Sequence, residues 1–120
     1  MPHTSELNKT RRLTNVLIYG AGAIGSHIAY CMHSAGHTVY IIARGEHYSQ
    51  MKKKGLRIKL FDNQRLRDEK VIMESPSFFI LSSLEQIETK VFDYVFITVK
   101  LSSYVPETIK DLQPYMGEDT

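Results

Sequence analysis

The chain has 120 residues, 42% hydrophobic and 23% charged, with a formal net charge of +2. That length suits one modest domain with its own core, and no apolar run approaches the roughly 20 residues of a membrane-spanning helix. Lys9, Arg11 and Arg12 against Glu6 account for the excess charge, and a body that balances without them lacks the clustered Lys and Arg of a nucleic-acid surface.

Residues 1–15 read as a flexible leader, without the apolar stretch of a secretory signal. Val16 to Tyr19 is a short, partly β-branched run that ends at glycine and reads as a buried strand. From Ala23 to Ala35, Ile24, Ile28, Cys31, Met32 and Ala35 fall at helical spacing, and Gly36 stops the helix. Thr38 to Ala43 is a second strand. Glu46 to Lys54 is a short helix whose last turn, Lys52-Lys53-Lys54, complements the helix dipole before Gly55.

Leu56 to Phe61 alternates with period two, as a half-exposed strand does. A turn over Asp62 to Arg65 and a weaker strand near Lys70 to Met73 would complete a hairpin. One helical turn is expected in the segment beginning at Ser82, with Ser82 or Ser83 as its cap. Tyr94 to Val99 is the strongest strand of the second half. A helix follows, with Pro106 early in it, where a missing amide costs little. Strands alternating with helices call for an α/β fold, a mostly parallel sheet with helices on both faces.

Gly20-Ala21-Gly22-Ala23-Ile24-Gly25 is an intact G-x-G-x-x-G that directly follows a predicted strand and opens a predicted helix. That context marks a dinucleotide-binding turn of the Rossmann type. Gly20 permits the tight turn, Gly22 leaves room for a pyrophosphate, and Gly25 lets the helix lie close on the sheet. The helix N-terminus offers free amides to the phosphates. A tight turn with glycines for packing alone is the plain alternative. An S-adenosylmethionine site would want an acidic residue at the end of the second strand, and none is there.

An NAD site places Asp or Glu about 20 residues beyond the glycines, where it meets the adenosine ribose. Here that place holds Arg44, with Glu46 two residues on. A guanidinium pairs with a 2′-phosphate that a carboxylate would repel, so the cofactor expected is NADP(H) rather than NAD(H). A solvated loop arginine is the other reading. Lys100, directly after the strand ending at Val99, would face the same crevice and is a candidate cofactor contact.

With these pieces in place the sequence resembles the N-terminal domain of the ketopantoate reductase (2-dehydropantoate 2-reductase) family. The resemblance is carried by Gly20 to Ser26, Ala35 to Arg44, Gly55 to Ile58 and Asp93 to Lys100, and it runs from Val16 to about Gly117. It implies NADPH-dependent reduction of 2-dehydropantoate to (R)-pantoate, on the route to pantothenate and coenzyme A. It also implies that Gly20 to Gly25 hold the pyrophosphate, that Arg44 meets the 2′-phosphate and that Lys100 contacts the cofactor. Where members often carry glutamine three residues after that lysine, this chain has Ser103. In the family a further strand carries an asparagine that contacts cofactor and substrate, and a separate helical domain supplies the catalytic lysine. The resemblance therefore assigns residues 16–120 to an NADP-binding domain without that helical domain, inactive alone, with a 2-keto acid as substrate of the full-length enzyme and no catalytic residue in this chain.

The competing readings are a stand-alone nucleotide-sensing module and a remnant that binds nothing. Cys31 is the sole cysteine, which fits a reducing, cytoplasmic setting, and its place on the apolar side of the helix reads as core packing. His33 and His37 are separated by the helix stop at Gly36 and suggest no metal site. His27 and His47 read as solvated. No membrane partner is expected. Val95, Phe96 and Ile97 would lie at a sheet edge, and an uncovered edge predicts self-association.

Overall fold

The computed structural model describes residues 14–88, 91–99 and 106–120. Asn15–Tyr19 forms strand β1, with Val16, Leu17 and Ile18 fully buried. Such a strand needs both faces covered, and the chain supplies the cover in order. Helix α1 (Ala23–Ser34) returns to β2 (Thr38–Ile42), and α2 (Gly45–Lys54) leads into a hairpin of β3 (Leu56–Asp62) and β4 (Arg65–Ile72). Strands β5 (Phe78–Leu81) and β6 (Tyr94–Ile97) and helix α3 (Pro106–Leu112) complete the described elements.

Four strands make a parallel sheet in the order β5-β2-β1-β6. Ile18 is level with Ile41 on one side and with Phe96 on the other. Successive side chains alternate between two cores. Val16, Ile18, Val39, Ile41, Phe78 and Ile80 pack with Ala29 of α1, Met51 of α2 and Leu56 and Ile58 of β3. Leu17, Tyr40 and Ile42 pack on the opposite face with Leu84, Phe92 and Leu112. The expected α/β sheet with helices on both faces is what the chain forms.

The hairpin is a separate antiparallel ladder, tightly turned at Asn63 and Gln64, whose φ values of 49° and 66° match the twist of two short-linked strands. β3 supplies the hairpin's buried core residues; β4 is exposed except at its last residue, Ile72, which packs part-buried against the core. The turn falls where the sequence places it, but β4 starts at Arg65 rather than near Lys70.

Three expectations need correction. Strand β5 was not foreseen: Phe78–Leu81 is a four-residue apolar run, too short to show a period, yet it pairs along β2 and buries Phe78 and Ile80 completely. Strand β1 starts one residue earlier than expected, at Asn15, and Thr14 accepts a hydrogen bond from the Thr38 amide at 2.9 Å; residues 1–13 of the expected leader lie outside the described residues. Helix α1 is also rotated from the face its apolar residues suggest. Its buried residues are Gly25, Ser26 and Ala29, whereas Ile24 is 71% exposed and Cys31 and Ala35 are exposed. Cys31 is therefore not a core residue. The cause is steric at the first turn, where the helix comes so close to Gly20 and Thr98 that position 25 has no room for a side chain, while Ile28 and Met32 pack part-buried at the edge of the same core.

Candidate functional site

The strand order reverses at β1. The chain runs outward through β2 to β5, then returns to place β6 on the other side. Ligands of open α/β sheets sit in the crevice beyond the carboxyl ends of the strands at such a point. Here that crevice is framed by the turn after β1, the end of β2 and the end of β6.

The turn is held from three sides. The Gly20 amide donates to the Ile42 carbonyl at 3.2 Å, and the Thr98 amide donates to the Tyr19 carbonyl at 3.0 Å, extending both ladders past the strand ends. The Thr98 hydroxyl donates to the Gly20 carbonyl at 2.9 Å. The buried Ser26 hydroxyl donates to the Ala21 carbonyl at 3.0 Å and closes the loop from the helix side. Neither Thr98 nor Ser26 was singled out from the sequence.

The three glycines answer to different demands. Gly20 has φ +123°, and a Cβ there would stand 2.9 Å from Thr98 Oγ1 and 3.0 Å from the Val99 amide nitrogen. A Cβ on Gly25 would overlap the Gly20 carbonyl oxygen and come within 2.5 Å of Thr98 Oγ1. Gly22 is unlike both. Its φ of −71° and ψ of −170° suit any residue, and a Cβ there would meet nothing within 4 Å. Neither conformation nor packing within the protein calls for glycine at 22; the space it leaves opens into the crevice.

Gly22 is also the N-cap of α1, with no side-chain cap and no acidic residue in the first turn, so the first amides of α1 stay available to an anion. Ala21 is buried; Ala23 and Ile24 are exposed at the start of the helix. Across the crevice, Arg44 is the exposed N-cap residue of α2. One of its terminal nitrogens donates to the Tyr19 hydroxyl at 3.2 Å, and the guanidinium's other donors have no partner among the described residues. Glu46 is exposed in the first turn of α2. A cavity of about 240 Å³ joins these parts, lined by Tyr19, Gly20, Gly22, Arg44, His47 and Thr98 among others. Tyr19, Ile42 and Arg44 also line a neighbouring cavity of about 610 Å³, walled further by Ser82, Leu84, Lys110 and Tyr115. The structure thus brings the glycine loop and Arg44 to one crevice. Lys100 and Ser103 lie outside the described residues.

The remaining histidines go separate ways. His37 pairs with Thr14, and His33 meets Ser77 at 3.2 Å and packs edge-on to Phe78. Among the described residues no helix is long and apolar enough to cross a membrane.

Comparison with known proteins agrees with this architecture. A 2-dehydropantoate 2-reductase from Mesorhizobium japonicum is 29% identical over 106 residues, which are 88% of this chain and 29% of that protein. The crystal structure of 2-dehydropantoate 2-reductase from Methylococcus capsulatus superposes with a TM-score of 0.62 at 25% identity, covering 88% of this chain and 31% of that one. A candidate 2-dehydropantoate 2-reductase from Enterococcus faecalis does so with a TM-score of 0.63 at 26% identity, over 88% of this chain and 31% of its own. The chain spans less than a third of each of these relatives. Residues 16–120 match the family model described as ketopantoate reductase PanE/ApbA, and the chain belongs to the ketopantoate reductase family.

Proposed function

We propose that this chain is the NADPH-binding domain of a ketopantoate-reductase-type oxidoreductase that reduces the ketone of 2-dehydropantoate or a related 2-keto acid. The observation that carries the reading is Gly22. A glycine that the fold does not need, at the cap of an uncapped helix and facing a crevice, is accounted for by a ligand that comes within contact distance of the backbone. A pyrophosphate fits that role, with the amides at the start of α1 as donors. Arg44, free on most of its fork, meets the 2′-phosphate and sets NADP(H) above NAD(H). Lys100, two residues beyond Thr98, adds a further cofactor contact.

Bound there, NADPH supplies the hydride. The chain's own part is to hold the phosphates, orient the nucleotide along the crevice and keep Arg44 in place through Tyr19. We assign no proton donor to the developing alkoxide within these 120 residues, so binding without turnover is the expected behaviour of the chain alone. The relatives are named for 2-dehydropantoate reduction, which supports the substrate class.

The test is calorimetric titration of the 120-residue chain with NADPH and with NADH, repeated on Arg44→Ala. A phosphate held by charge-assisted hydrogen bonds worth about 1.5–3 kcal/mol predicts roughly a 10- to 100-fold loss of NADPH affinity in the variant, with NADH changed little. Equal affinity for the two nucleotides in the unsubstituted chain would remove the basis for NADP(H). Failure to bind either would remove the reading as a whole.

A further inference from the structure

We propose that His47 completes the 2′-phosphate site beside Arg44, and that the protein's preference for NADPH over NADH is therefore tied to the protonation of this one imidazole. The inference rests on the nucleotide reading above and names a specificity residue within it.

His47 follows Arg44 by three residues and lies in the first turn of α2. Arg44 is the extended N-cap residue of that helix, so the two residues flank its first turn. His47 lines the same cavity as Gly20, Gly22 and Arg44. It also lines a second cavity, of about 350 Å³, which begins at Ala21, Gly22 and Ala23 on the outer side of the glycine loop. The side chain thus stands between the two spaces and borders the glycine loop from both. It is exposed and has no hydrogen-bond partner among the described residues, so both ring nitrogens are open to a ligand.

The surrounding charge suits an anion. Arg44 and Tyr19 line the same cavity as His47. From the outer cavity it is faced by His27 of α1 and by Arg57 and Lys59 of β3. Arg57 lies 3.6 Å from Glu69 across the hairpin. On α2 itself, Lys54 borders the space on the far side of His47, and Glu46 is the neighbouring carboxylate. A neutral imidazole offers a single N–H, whereas an imidazolium offers two and a positive charge. Phosphate binding and proton uptake at His47 then strengthen one another by the same factor. NADH, without the 2′-phosphate, has no such coupling.

The phosphate ester also takes up its second proton near pH 6, which weakens any cationic site as pH falls. The readout is therefore a difference between variants and not one pH profile. NADPH and NADH are titrated into the unsubstituted chain, His47→Gln and His47→Lys at about pH 6.5, where imidazoles in general are partly protonated, and at about pH 8.5, where they are neutral. For an exposed charge pair worth at most about 1 kcal/mol, His47→Gln is expected to bind NADPH about three- to fivefold more weakly at the lower pH. At the higher pH the loss is expected to be less than twofold, with NADH unaffected at both. His47→Lys, charged throughout, is expected to keep tight NADPH binding at both. An equal loss for His47→Gln at the two pH values, or an equal loss for NADH, overturns the proposal while leaving the nucleotide site standing. If the unsubstituted chain binds neither nucleotide, the nucleotide reading falls and this inference falls with it.

Discussion

Substituting the three glycines one at a time separates what the fold needs from what the ligand needs. In Gly25→Ala the new methyl falls 2.5 Å from Thr98 Oγ1 and on top of the Gly20 carbonyl oxygen. The latter is backbone in a turn held by two ladders, so α1 must lift from the sheet to make room. Overpacking of this kind costs about 1–3 kcal/mol, and more where the neighbours are backbone. At roughly 4 °C per kcal/mol for a domain of this size, Gly25→Ala should melt about 4–12 °C below the parent. In Gly22→Ala the methyl meets nothing within 4 Å and the backbone angles are ordinary. The gain from a stiffer unfolded chain, about 0.4–1 kcal/mol, is offset by the poorer capping of alanine, about 0.5–1 kcal/mol below glycine at an N-cap. Its melting temperature should stay within about 4 °C of the parent. On the proposed reading the same methyl stands where a pyrophosphate would approach, and loss of even one hydrogen bond to a charged group, about 1.5–3 kcal/mol, should weaken NADPH at least tenfold. Thermal unfolding and calorimetry on the two variants read both effects. NADPH binding by Gly22→Ala within twofold of the parent would refute the assignment of this loop to phosphate. A parent-like melting temperature for Gly25→Ala would refute the close packing of α1.

Other consequences are simpler to state. Thr98→Val keeps the β-branched shape but removes the hydroxyl donor to the Gly20 carbonyl, and should cost about 1 kcal/mol and about 4 °C in melting temperature. Glu74 accepts from Lys52 at 2.5 Å through one oxygen and from the Ile80 amide at 2.9 Å through the other. Glu74→Ala strands that amide and should cost about 1–3 kcal/mol by denaturant unfolding, whereas Glu74→Gln keeps an acceptor and should lose less. The hydrogen bond to Glu74 raises the Lys52 pKa above 10.5. A raised lysine stabilises the fold below its unfolded pKa and loses that contribution as pH climbs through the folded value. The stability gap between the parent and Glu74→Gln should therefore close above about pH 10.5, and at any pH it should stay small for so exposed a pair. We also propose self-association at β6: among the described residues no strand pairs with its outer edge, and Tyr94 is 51% exposed there. Sedimentation at tens of micromolar should reveal dimers, and a strictly monomeric boundary would count against this.

How far each feature could be read in advance depended on whether its signal was local. Strand β1, the turn and Arg44 were legible because a glycine pattern, a strand and a helix follow one another within thirty residues. The stops at Gly36 and Gly55, both with positive φ, were legible for the same reason. Strand β5 was not. Phe78–Leu81 is as apolar as β1 and is likewise packed on both faces, but no motif follows it, and four residues leave strand and helix indistinguishable. Thr98 and Tyr19 were missed for a different reason. Their partners, Gly20 and Arg44, lie 78 and 25 residues away, and no pattern along the chain announces such a hydrogen bond.

The orientation of α1 shows most clearly why counting apolar residues failed. Ile24, Ile28 and Cys31 fall four and three apart, and a hydrophobic stripe is ordinarily the stripe that faces the core. In this helix the core-facing stripe is Gly25, Ser26 and Ala29, chosen by size and not by hydrophobicity. The reason lies at the helix's first turn. To aim its amides into the crevice, α1 must start directly over the Gly20 carbonyl, and Gly25 has no room there even for a methyl group. In the next turn Ala29 is the fully buried residue, and Ile28 and Met32 pack part-buried against the same core. Ile24, in the first turn, is instead 71% exposed beside the glycine loop. The geometry that opens the loop to the proposed phosphate also sets the rotation of the first turn, and the exposed isoleucine is its by-product.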